Sequence, residues 1–294
     1  MLVHSSEYSL ISDRQQESSM EQISYFVVEF DPVAFSVFGW GIHWYGISYL
    51  IGLVGGWGLA RYLVRRHPLW KINAAQVDDL LFYIGLGVVL GGRLGYVLFY
   101  DLGNLFDQPN MWQALLRVVS IHEGGMSFHG GFLGCMLAMW LFCRKYQHRY
   151  FVIVDLLAMV APLGLFSGRI ANFVNGELWG KPAEMSWAMI FPKIDMLPRH
   201  PTPLYEALLE GIVLFALLWW IARKPQPVMV ISGWFAVGYG VFRTFVEFFR
   251  EPDAHIGYLL GDWLTMGMVL SLPLVMVGLV LLIQGYRQRL FAGQ

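Results

Sequence analysis

The sequence predicts an all-α integral membrane protein with about seven transmembrane helices, and three observations lead there. Of 294 residues, 56% are hydrophobic and only 14% are charged, against about 25% charged in an ordinary soluble domain. Mean hydropathy is +0.52. Apolar runs long enough to cross a hydrocarbon core of about 30 Å at 1.5 Å per residue recur along the chain. Helices are the expected form, because open strands would leave backbone groups unpaired in lipid. The net charge of −1 gives no global reason to bind nucleic acid, which asks for a basic face.

Residues 1–24 mix acidic, amide and hydroxyl side chains without a basic start and an apolar centre, so a polar, disordered tail is expected there and not a signal peptide. Met20 stands just before the apolar stretch, which suggests translation from that residue. Residues 25–287 are expected to form one transmembrane domain, with spans near 45–64, 79–100, 128–143, 151–168, 204–222, 228–249 and 263–285, followed by a short tail at 288–294. Basic residues set the orientation. Arg61, Arg65, Arg66 and Lys71 follow the first span, Arg144, Lys145 and Arg149 the third, Arg223 and Lys224 the fifth, and Arg287 and Arg289 the seventh. These ends share one side, which places the C-terminus in the cytoplasm and the N-terminus outside. Arg117, Lys181, Lys193, Arg199 and Arg250 are scattered over the opposite connections.

Thirty-two glycines, with pairs at Gly55-Gly56, Gly91-Gly92, Gly124-Gly125 and Gly130-Gly131, suit close helix packing and tight loops. Cys135 and Cys143 are eight residues apart on one expected helix, about 12 Å along it, too far to pair with each other. No spacing of Cys, His or carboxylates suggests a metal site.

Ionisable groups inside spans are costly and are normally turned toward protein or water. Arg93 lies in span two, Arg169 just past span four, Glu206 and Glu210 in span five, and Arg243 and Glu247 in span six. With the orientation above, Arg93, Arg169, Arg243, His129 and Glu206 all fall toward the outer leaflet. Asp155, near the cytoplasmic end of span four, reads as structural or capping. Tyr239, Arg243 and Glu247 recur at i, i+4 and i+8 and make one polar stripe. That stripe could be no more than an intrahelical ion pair in a packing seam. Three arginines exceed what carboxylate partners alone would need, and bidentate guanidinium donors suit phosphate, so a phosphate-headed ligand is the favoured reading.

Two further segments carry unusual polarity. In EGGMSFHGG, Glu123 to Gly131, Gly124, Gly125 and Gly130 flank His129, which could act as a base near neutral pH or serve only as an interfacial anchor. In GRIANFVNGELWG, Gly168 to Gly180, Arg169, Asn172, Asn175 and Glu177 crowd one helix end; a tight Asn-Gly turn with an anchoring Trp179 is the plainer alternative.

Taken with FDPVAFSVF, HWYG (His43 to Gly46), GGRLGYVLFY (Gly91 to Tyr100), RHPTPLYEALLEG (Arg199 to Gly211) and GYGVFRTFVEFFREPD (Gly238 to Asp253), these segments resemble the bacterial prolipoprotein diacylglyceryl transferases. The resemblance runs from about Val28 to Tyr286 and leaves 1–19 and much of 181–197 unmatched. It implies a multi-pass protein of the bacterial inner membrane with its site toward the periplasm. The implied reaction moves a diacylglyceryl group from phosphatidylglycerol to the lipobox cysteine thiol of a prolipoprotein and releases glycerol phosphate. No cofactor is implied, and the implied partners are phosphatidylglycerol, the lipobox segment and the surrounding membrane lipids. Functional positions of the family fall on Tyr45, His129, Arg169, Asn172, Glu177, Glu206, Tyr239, Arg243 and Glu247. In that scheme His129 takes the thiol proton, Arg169 and Arg243 hold the head group, Glu206 and Glu247 orient them, and Tyr239 and Asn172 add hydrogen bonds. Arg93, Glu177 and the glycines 124, 125 and 130 are expected to support the site. An anionic-lipid transporter, or a lipid-binding scaffold without catalysis, would use the same arginines.

Overall fold

The computed structural model describes residues 24–66, 70–107, 109–120, 124–252 and 257–292. The expected tail before residue 24, the Met20 start, Glu123 and Asp253 lie outside these residues. Among the described residues, seven helical segments of 18 residues or more dominate: α1 (Trp44–Arg66), α2 (Ala74–Tyr100), α5 (Phe128–Tyr146), α6 (Tyr150–Val174), α7 (Thr202–Ala222), α8 (Val230–Glu247) and α9 (Met266–Ala292), with the short α3 (Leu102–Phe106) and α4 (Met111–Val119) between α2 and α5. Five of the long helices, α1, α2, α6, α7 and α9, are both long enough and apolar enough to cross a membrane. α5 and α8 are shorter, and their sequences are diluted by glycine and ionisable residues. Helix α9 runs to Ala292.

The sequence reading missed the small β elements. Strands β1 (Phe26–Val27), β4 (Met189–Ile190) and β5 (Pro198–Arg199) form a sheet of order β1-β4-β5, parallel then antiparallel. Strands β2 (Val33–Val37) and β3 (Trp40–His43) form a hairpin. Its tip, Phe38-Gly39, has φ of 50° and 84°, the left-handed geometry that suits a two-residue turn. Strands this short carry too few residues for alternation to register in sequence.

Helix ends are fixed by local chemistry. Asn73 and Gln76 form a reciprocal capping box at the start of α2, and Ser127 caps α5 by accepting from the Gly130 amide at 3.2 Å. Helix α8 has no cap of its own at Met229. The carboxylate of Asp155, reaching across from α6, accepts from the Met229 amide (2.8 Å), the Ser232 amide (2.8 Å) and the Ser232 hydroxyl (2.7 Å). The structural role expected of Asp155 is therefore a cap supplied in trans, joining α6 to α8.

Helices α2 and α5 cross through glycine. A Cβ on Gly91 would lie 2.4 Å from the Gly130 carbonyl oxygen, and one on Gly134 would lie 2.1 Å from that of Gly87. Any larger residue would force the backbones apart. The buried core is modest and centres on Phe142, Ile153, Leu156, Met159, Leu214 and Leu218. Outward faces instead carry Leu50, Ile51, Phe82, Leu133, Leu270 and Ile283, as expected of helices whose surroundings are lipid.

Candidate active site

Helices α5 and α6 are joined by the three-residue hairpin 147–149, so His129 lies about 26 Å and Arg169 about 29 Å from the same turn. Both therefore occupy the end of the bundle away from that hairpin. At this end α6, α7 and α8 converge on a set of buried charges. Arg169 reaches Glu206 through Nη1 (3.1 Å) and donates to Glu210 Oε2 from Nε (3.1 Å) and Nη2 (3.0 Å). Arg243 donates to the other oxygen of Glu206 at 3.1 Å and pairs with Glu247 one turn along α8. Arg250, just past α8, lies 3.9 Å from Glu206 and 3.7 Å from Glu247. Glu247 is fixed from behind by the Thr265 hydroxyl.

Helix α7 is not regular here. Its first turn, Thr202–Glu206, leads into a widened π segment, Ala207–Val213, a feature that often marks functional sites. Both Glu206 and Glu210 reach Arg169 across this irregularity.

The layering of charge decides what the cluster can do. The side chains of Glu206 and Glu210 are 0% exposed and that of Glu247 is 5% exposed, whereas those of the three arginines are 12–16% exposed. The carboxylates are thus more deeply buried than the arginines, which carry what exposure the cluster has. Guanidiniums are fork-shaped donors, and here they are oriented by carboxylates. Glu210 Oε1 has no hydrogen-bond partner, and Tyr239 faces the same charges while its ring stacks on Phe235.

A second group lies at the same end of α6. Asn172 donates to Glu177 at 3.1 Å and Asn175 to its other oxygen at 3.4 Å; the turn between them has Gly176 at φ 62°, as the Asn-Gly reading requires. Tyr45, at the start of α1, faces Asn172 and Glu177, and its hydroxyl lies 3.2 Å from that of Tyr49. Tyr49 borders a 430 Å³ apolar groove between α1, α2 and α6, lined also by Gly52, Gly56, Val77, Leu80, Val160 and Ser167.

His129 is exposed on the first turn of α5. Its ring meets that of Phe128 edge-on, centroids 5.7 Å apart. No contact among the described residues joins it to the arginine cluster. Arg93, expected to bind lipid phosphate or to support the site, is packed against a loop. Its side chain is buried on α2 and all its hydrogen bonds among the described residues go to main-chain oxygens: Val118 (2.9 Å), Gly124 (2.6 Å), Gly125 (3.2 Å) and Arg117 (2.5 Å). Gly124 and Gly125 take φ of 83° and 79°, which turns their carbonyls toward it. Arg93 thus moors the segment leading into His129, and the Ser127 amide adds a bond to the Gly92 carbonyl at 2.9 Å.

The connection between α6 and α7 is built on another arginine. Arg199, buried, holds Asp195 through two bonds (3.1 and 2.6 Å), the Gly180 carbonyl (3.0 Å) and Glu251 (3.2 Å); it keeps the Asp195 carboxyl below the ordinary carboxylate range. Arg250 and Glu210 were not placed in the site by sequence. The signal was present: Arg250 stands seven residues after Arg243 and Glu210 four after Glu206, both on a shared helical face.

Fold and site together define a polytopic helical membrane protein with a carboxylate-backed arginine site near one membrane face. The chain belongs to the prolipoprotein diacylglyceryl transferase family, whose model matches residues 32–284. It is 51% identical to the phosphatidylglycerol–prolipoprotein diacylglyceryl transferase of Methylococcus capsulatus over 259 residues, covering 88% of this chain and 97% of that protein. It is 48% identical to the enzyme of the same name from Pseudomonas fluorescens (88% and 95% covered) and 48% identical to that from Sinorhizobium medicae (85% and 90% covered).

Proposed function

We propose that the chain carries out the reaction its relatives are named for, the transfer of a diacylglyceryl group from phosphatidylglycerol to a prolipoprotein, with the thiol of the lipobox cysteine as acceptor. One observation carries the assignment of the site: Arg169 and Arg243 pair with opposite oxygens of a single buried carboxylate, Glu206, which brings two guanidiniums together for one phosphodiester. The acyl chains extend into the apolar groove between α1, α2 and α6, whose Tyr49 end adjoins Tyr45.

A cysteine thiol with a pKa near 8.5 is mostly protonated at neutral pH, and its thiolate is the nucleophile. His129 takes that proton. Sulfur then attacks the glycerol carbon that carries the phosphate ester; the C–S bond forms, the C–O bond breaks, and glycerol phosphate departs with the electron pair. Negative charge gathers on the phosphate oxygens in front of Arg169 and Arg243, where one well-placed donor is worth about 3–4 kcal/mol in a water-poor site. Glu206, Glu210 and Glu247 fix the forks, Tyr239 lines the same pocket, and Asn172, Glu177 and Tyr45 shape the neighbouring wall. Neither a metal nor an organic cofactor enters this scheme.

All seven long helices span the bilayer in this reading, α5 and α8 with their polar faces turned inward. Residues 25–287 form one catalytic domain in the bacterial inner membrane. The basic hairpin 147–149 faces the cytoplasm and the site faces the periplasm, with the N-terminus outside and the C-terminus inside.

Purified protein incubated with phosphatidylglycerol and a lipobox peptide should raise the peptide mass by one diacylglyceryl unit. A protein that only binds or moves the lipid leaves the peptide mass unchanged. Replacing His129 by Asn should slow transfer strongly at neutral pH and less at high pH, where the thiol ionises unaided; equal activity at every pH assigns the proton to another group.

A further inference from the structure

At the opposite end of the bundle from the arginine–carboxylate cluster, the α5–α6 hairpin lines an open cavity of 440 Å³ that includes Arg144, Gln147, His148 and Arg149, with Trp140 and Tyr150 at its sides. Its size falls within the range of about 300–1,000 Å³ usual for small-molecule sites. Arg149 caps the start of α6 and Arg169 lies in its second half, about 30 Å along the helix, so this cavity and the transfer site lie toward opposite faces of the membrane.

The hairpin is fixed in place. Gln147, in the left-handed region at φ 57°, donates to the Arg144 carbonyl at 2.9 Å, and the His148 amide donates to the Cys143 carbonyl at 3.0 Å. The His148 ring stacks on Phe142 and its Nε2 lies 3.1 Å from Gln76, the residue that also closes the capping box of α2. Burial holds the His148 imidazole below the ordinary histidine range, which disfavours its charged form. Two guanidiniums therefore set the sign of the cavity. Neither pairs with a carboxylate among the described residues, and no carboxylate lines the walls. Arg144 lies over the Trp140 ring at 5.6 Å, and Trp140 itself is half-exposed on the lipid side, the position an interfacial aromatic takes at headgroup depth.

The geometry points to a second lipid site, one that takes the phosphodiester headgroup of a net-anionic lipid from the leaflet opposite the transfer site. Two forks meet the phosphate oxygens. A zwitterionic lipid carries an ammonium group as well, and this cavity has no carboxylate to receive it, so charge selects the anionic lipid. Such a lipid would clamp the hairpin without taking part in transfer.

The test counts lipids retained by the full-length protein after detergent extraction, by native mass spectrometry, with phosphatidylglycerol or phosphatidylcholine supplied. Wild-type protein should retain one phosphatidylglycerol beyond the one that Arg169→Gln releases. The double variant Arg144→Gln, Arg149→Gln should hold that extra lipid about tenfold more weakly while its transfer rate stays within about twofold of wild type. The double lysine variant keeps the charge and loses the forks; it should fold and should also hold the lipid less well than wild type. Unchanged lipid counts in both double variants, or equal retention of phosphatidylcholine, would overturn the assignment. Displacement of the lipid by millimolar inorganic phosphate would overturn it too, since the ligand would then be a free anion.

Discussion

Arg169 and Arg243 are held by opposite oxygens of one carboxylate, that of Glu206, each at 3.1 Å. The two arginines come from different helices, and the one side chain they share is a buried carboxylate on a third, while Glu210 and Glu247 each hold one of them separately. Glu206 is 0% exposed, so its charge is screened by nothing except its partners.

Replacing Glu206 by Gln should therefore do more than remove one charge. Breaking a buried pair at one partner costs about 3–5 kcal/mol, and both forks lose their register at once. The expected outcome is a fall of at least about 100-fold in kcat/KM for thioether formation. Glu210→Gln frees only Arg169 and should cost about tenfold. Equal effects of the two changes would contradict the bridging role of Glu206.

Arg93 is expected to act on the loop and not on the phosphate. Arg93→Lys keeps the charge but cannot reach four carbonyls, and each charge-assisted bond lost is worth about 1.5–3 kcal/mol. Thermal stability and kcat should fall together, with the apparent affinity for phosphatidylglycerol retained. A selective rise in KM for the lipid would return Arg93 to the phosphate site.

Gly134 tests the α2–α5 crossing. Its Cβ would meet the Gly87 carbonyl oxygen at 2.1 Å, so Gly134→Val should separate the helices and destabilise by about 1–3 kcal/mol or more. Gly103, with nothing within 4 Å of its Cβ position, is the control: Gly103→Ala should leave the unfolding temperature in detergent nearly unchanged.

The linker between α2 and α5 should respond to acid. Asp101 accepts two bonds from Arg117 (2.6 and 2.8 Å) and one from Asn104, and these hold its carboxyl down at about 2 against an ordinary 3.8. Because the folded value is the lower one, the stabilisation is fully present above the ordinary value and is lost as pH falls from there toward about 2. Amide exchange across Met111–Val119, corrected for intrinsic rate, should accelerate in that window, and Asp101→Asn should abolish the transition.

The pattern of apolar runs pointed to the long helices, because burial in lipid demands about 20 apolar residues at a stretch, and five of the seven long helices among the described residues meet that demand. It was also enough to single out Arg169, Glu206, Arg243 and Glu247, since a charge in such a run has to be solvated by protein. The i, i+4 pairing of Arg243 and Glu247 follows from helical period alone. Sequence could not say which arginines share a partner. Arg93 and Arg169 stand at similar depth, yet one binds the main chain of its own loop and the other binds two glutamates, and only the packing of α2 against α5 and of α6 against α7 separates them. The same holds for Arg250, which looked like a loop cation until the end of α8 brought it beside Glu206, and for Asp155, whose cap lies 74 residues away at Met229. Periodicity describes one helix at a time; partner choice depends on side chains from several helices meeting in a volume that no single segment encodes.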